Sequence, residues 1–264
     1  MRHLTMRSPL FASLFALALA GLWGFAAAQT DEIAAKRAAE RKTFTDAEIA
    51  EGFYKTVFGA ELRLRGRTDV VRKYDRPVRV HVESRARPDR RGDVAKVVAD
   101  IRARVEHLDI AMTDDRAAAN VLVVLVRDRD LARTVRKMYG QSRARQIARL
   151  DPQCLSGFRK DHTFRIVQSN VLLVVDAGDF TFYDCAYEEL LQALGPVNDT
   201  NLPWTMFNDD VDMGFFDVYD QYILNILYHP RVRPGMTRKE VEALLPQIMP
   251  DVRTFVVKTN GLKE

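Results

Sequence analysis

Glu188-Glu189-Leu190-Leu191-Gln192-Ala193-Leu194-Gly195-Pro196-Val197-Asn198-Asp199, followed by Trp204-Thr205-Met206, is the stretch that decides how the rest of the chain is read. Leu190, Leu191 and Leu194 recur at helical spacing and belong to a core-facing stripe. Gly195 is a helix stop, and its turn calls for a backbone with φ > 0 that glycine adopts without strain. The segment therefore reads as a helix over 184–195, with Asp184 as its cap, running into the loop PVNDTNLPWTMFNDD. Glu188, Glu189 and Gln192 are the polar groups on this helix. Asn198, Asp199 and Met206 come from the loop.

Outward from this helix, periodicity gives the other elements. FTDAEIAEGFYKTVFG (44–59) is a helix, with Thr45 and Glu48 at capping-box spacing. Val78, Val80 and Val82 alternate in a strand after Pro77. Residues 93–108 place Val94, Val97, Val98, Ile101, Val105 and Leu108 on one helical face, the strongest such pattern in the chain. A buried strand (120–126), a basic helix (128–149) and one or two strands over 163–178 follow, the latter broken near Ser169-Asn170. FDVYDQYILNILYHP (216–230) is a helix stopped by Pro230. One more helix runs from Met236 to Leu245 within 235–250, and 251–264 reads as a tail. Helices and strands in this order give an α+β fold with a mixed twisted sheet. The domain assignment is 1–28 as a leader, 29–43 as a charged lead-in, and 44–250 as one domain with its core at 75–232.

The loop and helix together have the spacing of a known chemistry. In the zinc-peptidase pattern H-E-x-x-H-x-x-G-x-x-H, two histidines at i and i+4 share a helix face. A glycine turns the chain out, a third ligand comes from the loop, and the glutamate is the general base. On that spacing Glu188, Gln192 and Asn198 occupy the three ligand positions, Glu189 the base position and Gly195 the turn. Met206 falls where a metzincin has its Met-turn, and 216–230 resembles the C-terminal helix of matrixin-type metzincins. The chain thus resembles a zincin catalytic domain over roughly 75–232, with an amphipathic backing helix, an active-site-type helix and a C-terminal helix.

The ligands differ from that pattern. All three histidine positions hold oxygen-bearing side chains, and zinc favours imidazole, thiolate and carboxylate. The five histidines (His3, His81, His107, His162, His229) contain no H-x-x-x-H pair. Amide oxygens suit calcium better than zinc. No cofactor is expected, and a divalent cation on these oxygens is the alternative, with Asn208-Asp209-Asp210-Val211-Asp212 as a weak calcium candidate. In the first reading the resemblance implies a catalytically inactive peptidase-like protein holding a peptide, a protein or a cell-envelope component. In the second it implies a metal-dependent hydrolase using an atypical oxygen-rich site, with Glu189 as general base. A third reading is a purely structural envelope protein or a different fold, and the ordinary explanation of Glu188 and Glu189 is that they are solvated helix residues.

The chain is also similar to a bacterial family of exported proteins, domain of unknown function 2927. The carrying residues are FYKTVFGAE (53–61), PVRV (77–80), Cys154, Cys185 with Glu188-Glu189-Leu190, Gln192 to Gly195, Asn198-Asp199 and YHPRVRPGM (228–236). The family's name carries no activity, so the likeness implies architecture and export more than function.

Composition limits the alternatives. The chain has 264 residues, 47% apolar and 29% charged, which is ordinary for a globular protein and excludes fibrous and wholly disordered classes. A mean hydropathy of −0.21 excludes a polytopic membrane protein. Arg2 and Arg7, the apolar run Leu10–Leu22 and Ala26-Ala27-Ala28 form a Sec-type signal peptide cleaved near Ala28-Gln29, with an uncleaved anchor as the alternative. The expected destination is periplasmic or secreted, with no transmembrane span after cleavage. In an oxidising compartment Cys154 and Cys185, the only cysteines, default to a disulfide, against the alternative of two buried thiols.

Charge is segregated along the chain. Residues 166–230 contain no Lys or Arg and eleven acids, whereas 61–165 hold 26 basic and 15 acidic residues. A basic region without interleaved exposed aromatics does not indicate nucleic acid, and none is expected as a partner.

Overall fold

The computed structural model describes residues 31–59, 69–84, 86–149, 152–208 and 210–263. The leader expected at 1–28 and Asp209 lie outside the described residues. Among the described residues seven helices and five strands follow one another: α1 (31–39), α2 (Asp46–Val57), β1 (Val78–Ser84), α3 (Arg91–Arg104), β2 (Ile110–Met112), β3 (Val121–Val126), α4 (Asp128–Ile147), β4 (Cys154–Lys160), β5 (Ile166–Val174), α5 (Asp179–Gln192), α6 (Val218–Tyr228) and α7 (Arg238–Asn260).

The strands form one mixed sheet in the order β2-β1-β3-β5-β4. All neighbours are parallel except β4, which runs antiparallel to β5 at the edge. The fold is α+β, as expected. Period-2 alternation splits the sheet into two faces. Val121, Val123, Leu125, Val171 and Leu173 join the main core, which also holds Val97, Ile101, Leu190 and Leu191 from α3 and α5. Val126, Leu172 and Val174 face the other way and pack with Val135, Ala144 and Ile147 of α4.

Helix α6 is buried over its whole length, which explains its run of apolar residues. Its ends are held by charged groups. At the N-terminus Asp217 caps the Asp220 N–H, and a Glu40 oxygen accepts from the Val218 N–H. Carboxylates suit the positive end of a helix dipole. At the C-terminus the buried Lys73 ammonium donates to Leu227 O at 2.8 Å and His229 O at 3.3 Å. Arg72 does the same for α2, donating to Val57 O and Gly59 O at 2.7 Å each. Two buried cations of one short segment therefore satisfy carbonyls that two helices leave open.

Several expectations need correction. Helix α5 starts at Asp179 after Gly178, whose φ of 101° admits the chain to the helix, so Asp184 lies inside α5 and is not its cap. Strand β5 is unbroken at Ser169-Asn170, because the buried Ser169 hydroxyl donates to Ala193 O (2.8 Å) and meets the Tyr74 hydroxyl (2.8 Å). Helix α3 stops at Arg104, and Val105 and Leu108 are buried in the following turns. Strands β2 and β4 carried no periodic signal. β2 has three residues, and β4 has no fully buried residue to reveal a face. The segment read as a tail from 251 belongs to α7, which continues past Pro246 and Pro250 to Asn260. Its buried Val252 and Val256 supply the packing that outweighs the proline cost. The charged lead-in is helical over 31–39, and its Lys36 donates to Asp212 O at 2.8 Å.

Candidate functional site

Edge strand β4 and helix α5 form two walls of a cleft of about 710 Å³, and the second half of α4 supplies the third. The disulfide Cys154–Cys185 joins the first residue of β4 to the middle of α5, with Cα atoms 5.9 Å apart. Leu190 and Leu191 anchor α5 in the core. The helical period then turns Asp184, Glu188, Glu189 and Gln192 towards the strand.

Two hydrogen bonds link the polar side chains of this wall to each other and to β4. The Gln192 amide donates to Glu188 Oε1 at 3.3 Å, and the Ser156 hydroxyl of β4 donates to Gln192 Oε1 at 3.4 Å. Glu189 is buried, 6% exposed. Tyr139 of α4 brings its hydroxyl beside Gly157 of β4. Burial, and then the Glu189 charge, push that hydroxyl up to about 12. The Arg143 guanidinium lies over the Tyr139 ring, 5.8 Å from its centroid.

Asp184 is a further, half-buried acid of the cleft. It accepts from Met213 N (2.6 Å) and Gly214 N (2.9 Å), fixing the loop in front of α6. Burial pushes its carboxyl up to about 6, with nearby Asp212 adding, while the two backbone donors oppose the shift.

The structure brings together only part of the expected set. Glu188, Glu189, Gln192 and Asp199 line the cleft. Asn198 does not. Its amide donates to Lys55 O (2.7 Å) and Asp199 O (3.2 Å), and its side chain packs on Gly59, latching the loop to the end of α2. Gly195 has φ of 143°, and a Cβ there would lie 2.4 Å from Arg72 O. It shapes the turn without lining the cleft. Met206 is buried, and its N–H donates to Asp220 Oδ2 at 2.8 Å while Thr205 donates to Oδ1 at 2.6 Å. Asp220 thus fastens the loop to α6.

Among the described residues no histidine lines the cleft. His81 contacts Thr113 O, and His107 and His229 sit edge to face 5.8 Å apart elsewhere. Among the described residues no three His, Cys, Asp or Glu side chains gather in a way that could hold a metal ion. In the acidic run, Asn208 uses its amide to shape a turn, accepting from Asp210 N and donating to Leu202 O. Tyr139, Ser156 and Asp184 are site residues that sequence reasoning missed in this role. Ser156 and Tyr139 reach the cleft only through the pairing of β4 and the packing of α4, whereas Asp184 stands one helical turn before Glu188 on α5, a spacing the sequence does contain.

No helix among the described residues is long and apolar enough to cross a membrane. The family described as a protein of unknown function, DUF2927, matches residues 46–247. No curated protein and no solved structure matches the chain.

Proposed function

The chain belongs to the DUF2927 family, and from that premise we propose that it is an exported, zincin-like protein of the cell envelope that binds an extended polypeptide segment in the β4–α5 cleft without cleaving it. The observation that carries this reading is the wall itself. Where a zinc peptidase would present imidazoles, the Gln192 amide donates to Glu188 and accepts from the Ser156 hydroxyl.

The cleft's chemistry supports the choice of ligand. β4 is an edge strand, paired only with β5. Alternate amides and carbonyls on such an edge point outward and can receive a further strand. Asp184, Glu188, Glu189, Asp199 and Asp212 outnumber Arg143 and Arg159 around it, which favours a ligand carrying Lys or Arg. The disulfide between the two walls is consistent with an oxidising compartment.

The test measures metal content and calorimetric titration with zinc and calcium, alongside anisotropy of labelled lysine-rich peptides. The expected result is peptide binding that survives chelator, leaves the peptide intact and is lost in Ser156→Trp, which fills the cleft. Stoichiometric metal, lost on Glu188→Ala, together with cut peptide would replace this reading with the hydrolase that uses Glu189 as base.

A further inference from the structure

Helix α4 carries a second surface, unconnected with the cleft chemistry. Leu131, Val135 and Met138 stand at i, i+4 and i+7 and pack on the sheet. Arg129, Arg133, Arg136 and Lys137 stand at i, i+4, i+7 and i+8, two residues out of step with that stripe. At 100° per residue the offset places them on the opposite side of the helix. All four are exposed. Asp130 pairs with Arg133 and lies 3.9 Å from Arg129. Arg136 and Lys137 form no ion pair among the described residues. From Leu131 to Arg149 the chain holds six cations and no acid, and Arg145 and Arg149 are exposed beyond the kink at Gly140.

We infer that this face adsorbs to an anionic lipid bilayer. The face is exposed and rich in cations, and its Arg129, Arg133 and Lys137 flank an open groove of about 870 Å³ shared with Glu83 and Val124. A specific protein interface is built around aromatic and apolar anchors, and single-stranded nucleic acid needs exposed aromatics to stack its bases. Neither is on this helix: the only large apolar residue counted as exposed among the described ones is Met112, on β2. A diffuse anionic surface asks only for charge density, and each cation near it contributes roughly fivefold to partitioning. With no apolar wedge to insert, the attachment is electrostatic and reversible. Adsorption by α4 would hold the neighbouring cleft beside the membrane.

The test is co-sedimentation of the full disulfide-bonded chain with vesicles of phosphatidylcholine, with or without about 30 mol% phosphatidylglycerol. Neutral vesicles report the binding that does not depend on lipid charge. The expected result is extra binding to the anionic vesicles that disappears between roughly 0.05 M and 0.5 M salt. A variant combining Arg129→Gln, Arg133→Gln, Arg136→Gln and Lys137→Gln should lose that increment at least about tenfold. A control combining Arg231→Gln and Lys239→Gln, on a distant surface, should keep it. Equal increments in the two variants, an increment unaffected by salt, or no preference for anionic vesicles would overturn the inference. Retention of duplex DNA without vesicle binding would overturn it in favour of a nucleic-acid surface. Because the salt dependence is read on the parent chain, the result stands even if the quadruple variant folds poorly.

Discussion

Gly195 shows how one residue position sets the course of the chain towards the cleft. Its φ of 143° is hostile to any side chain, and an added Cβ would collide with the Arg72 carbonyl at 2.4 Å. That carbonyl belongs to the backbone of the segment that caps two helices, so it cannot easily yield. Gly195→Ala should therefore cost on the order of 3 kcal/mol or more, and more than Glu189→Ala, as read by chemical denaturation of both variants. Equal losses would contradict the strained turn. Asp184 makes a different residue-scale statement. Its native carboxyl is pushed up to about 6 from the ordinary 3.8, so the folded state keeps its proton longer than the unfolded chain. The contribution is full below about pH 4 and is lost as pH rises through about 6. Asp184→Asn keeps an acceptor for Met213 and Gly214 and removes the titration. Its melting curve should match the parent near pH 4 and exceed it above pH 6, by on the order of 2 kcal/mol.

Among the elements, α6 depends most on its ends. Every side chain of it is buried, the acids Asp217 and Asp220 at its start included. Burial pushes Asp217 well above the usual carboxylate range, and the Asp220 charge adds to this. Asp220 is also raised by burial, against the pull of its Thr205 and Met206 donors. Those two donors tie the 199–207 loop to the helix. Asp220→Ala would leave both without their acceptor and should cost about 2–4 kcal/mol. Asp220→Asn keeps one acceptor without the charge and should cost less. A larger loss for the asparagine variant in urea titrations would show that charge matters more than the bonds. Helix caps were legible elsewhere: Thr45 with Glu48 forms a complete capping box on α2. The equivalent pair on α7, Thr237 with Glu240, has the same spacing, and the two prolines that follow hid only the helix's continuation beyond Leu245.

At the scale of the molecule, the disulfide joins what the sheet alone would leave apart. β4 is held on one side by β5 and on the other only by side chains, so the Cys154–Cys185 link fixes its distance from α5. The bond closes a segment of 31 residues, worth about 3–4 kcal/mol by loop-closure entropy. Reduction should lower stability by about that amount and speed amide exchange in β4 before β3. Mass spectrometry of the purified protein should find no alkylatable thiol; two would refute the link. The division of charge along the chain also finds its explanation here. The stretch without Lys or Arg builds β5, α5 and the wholly buried α6, where cations have no place. The basic stretch builds α4, whose outer side faces solvent, and supplies Lys73 and Arg72 as buried caps.

What the sequence determined by itself were the features with a local physical cause. Apolar period marked α2, α3, β1 and β3, a helix with an obligatory glycine turn ran from within α5 to Gly195, and the two cysteines could pair only with each other. These follow from propensity, burial on one face and capping, which are written into neighbouring residues. The tertiary structure decided the rest. It placed β4 at an edge without a buried face and turned Asn198 away from Glu188 and Gln192 to latch α2. It carried α7 through two prolines, and it brought Tyr139 and Ser156 to the cleft. Each of these depends on contacts between residues far apart in the chain, whose energies no local pattern records.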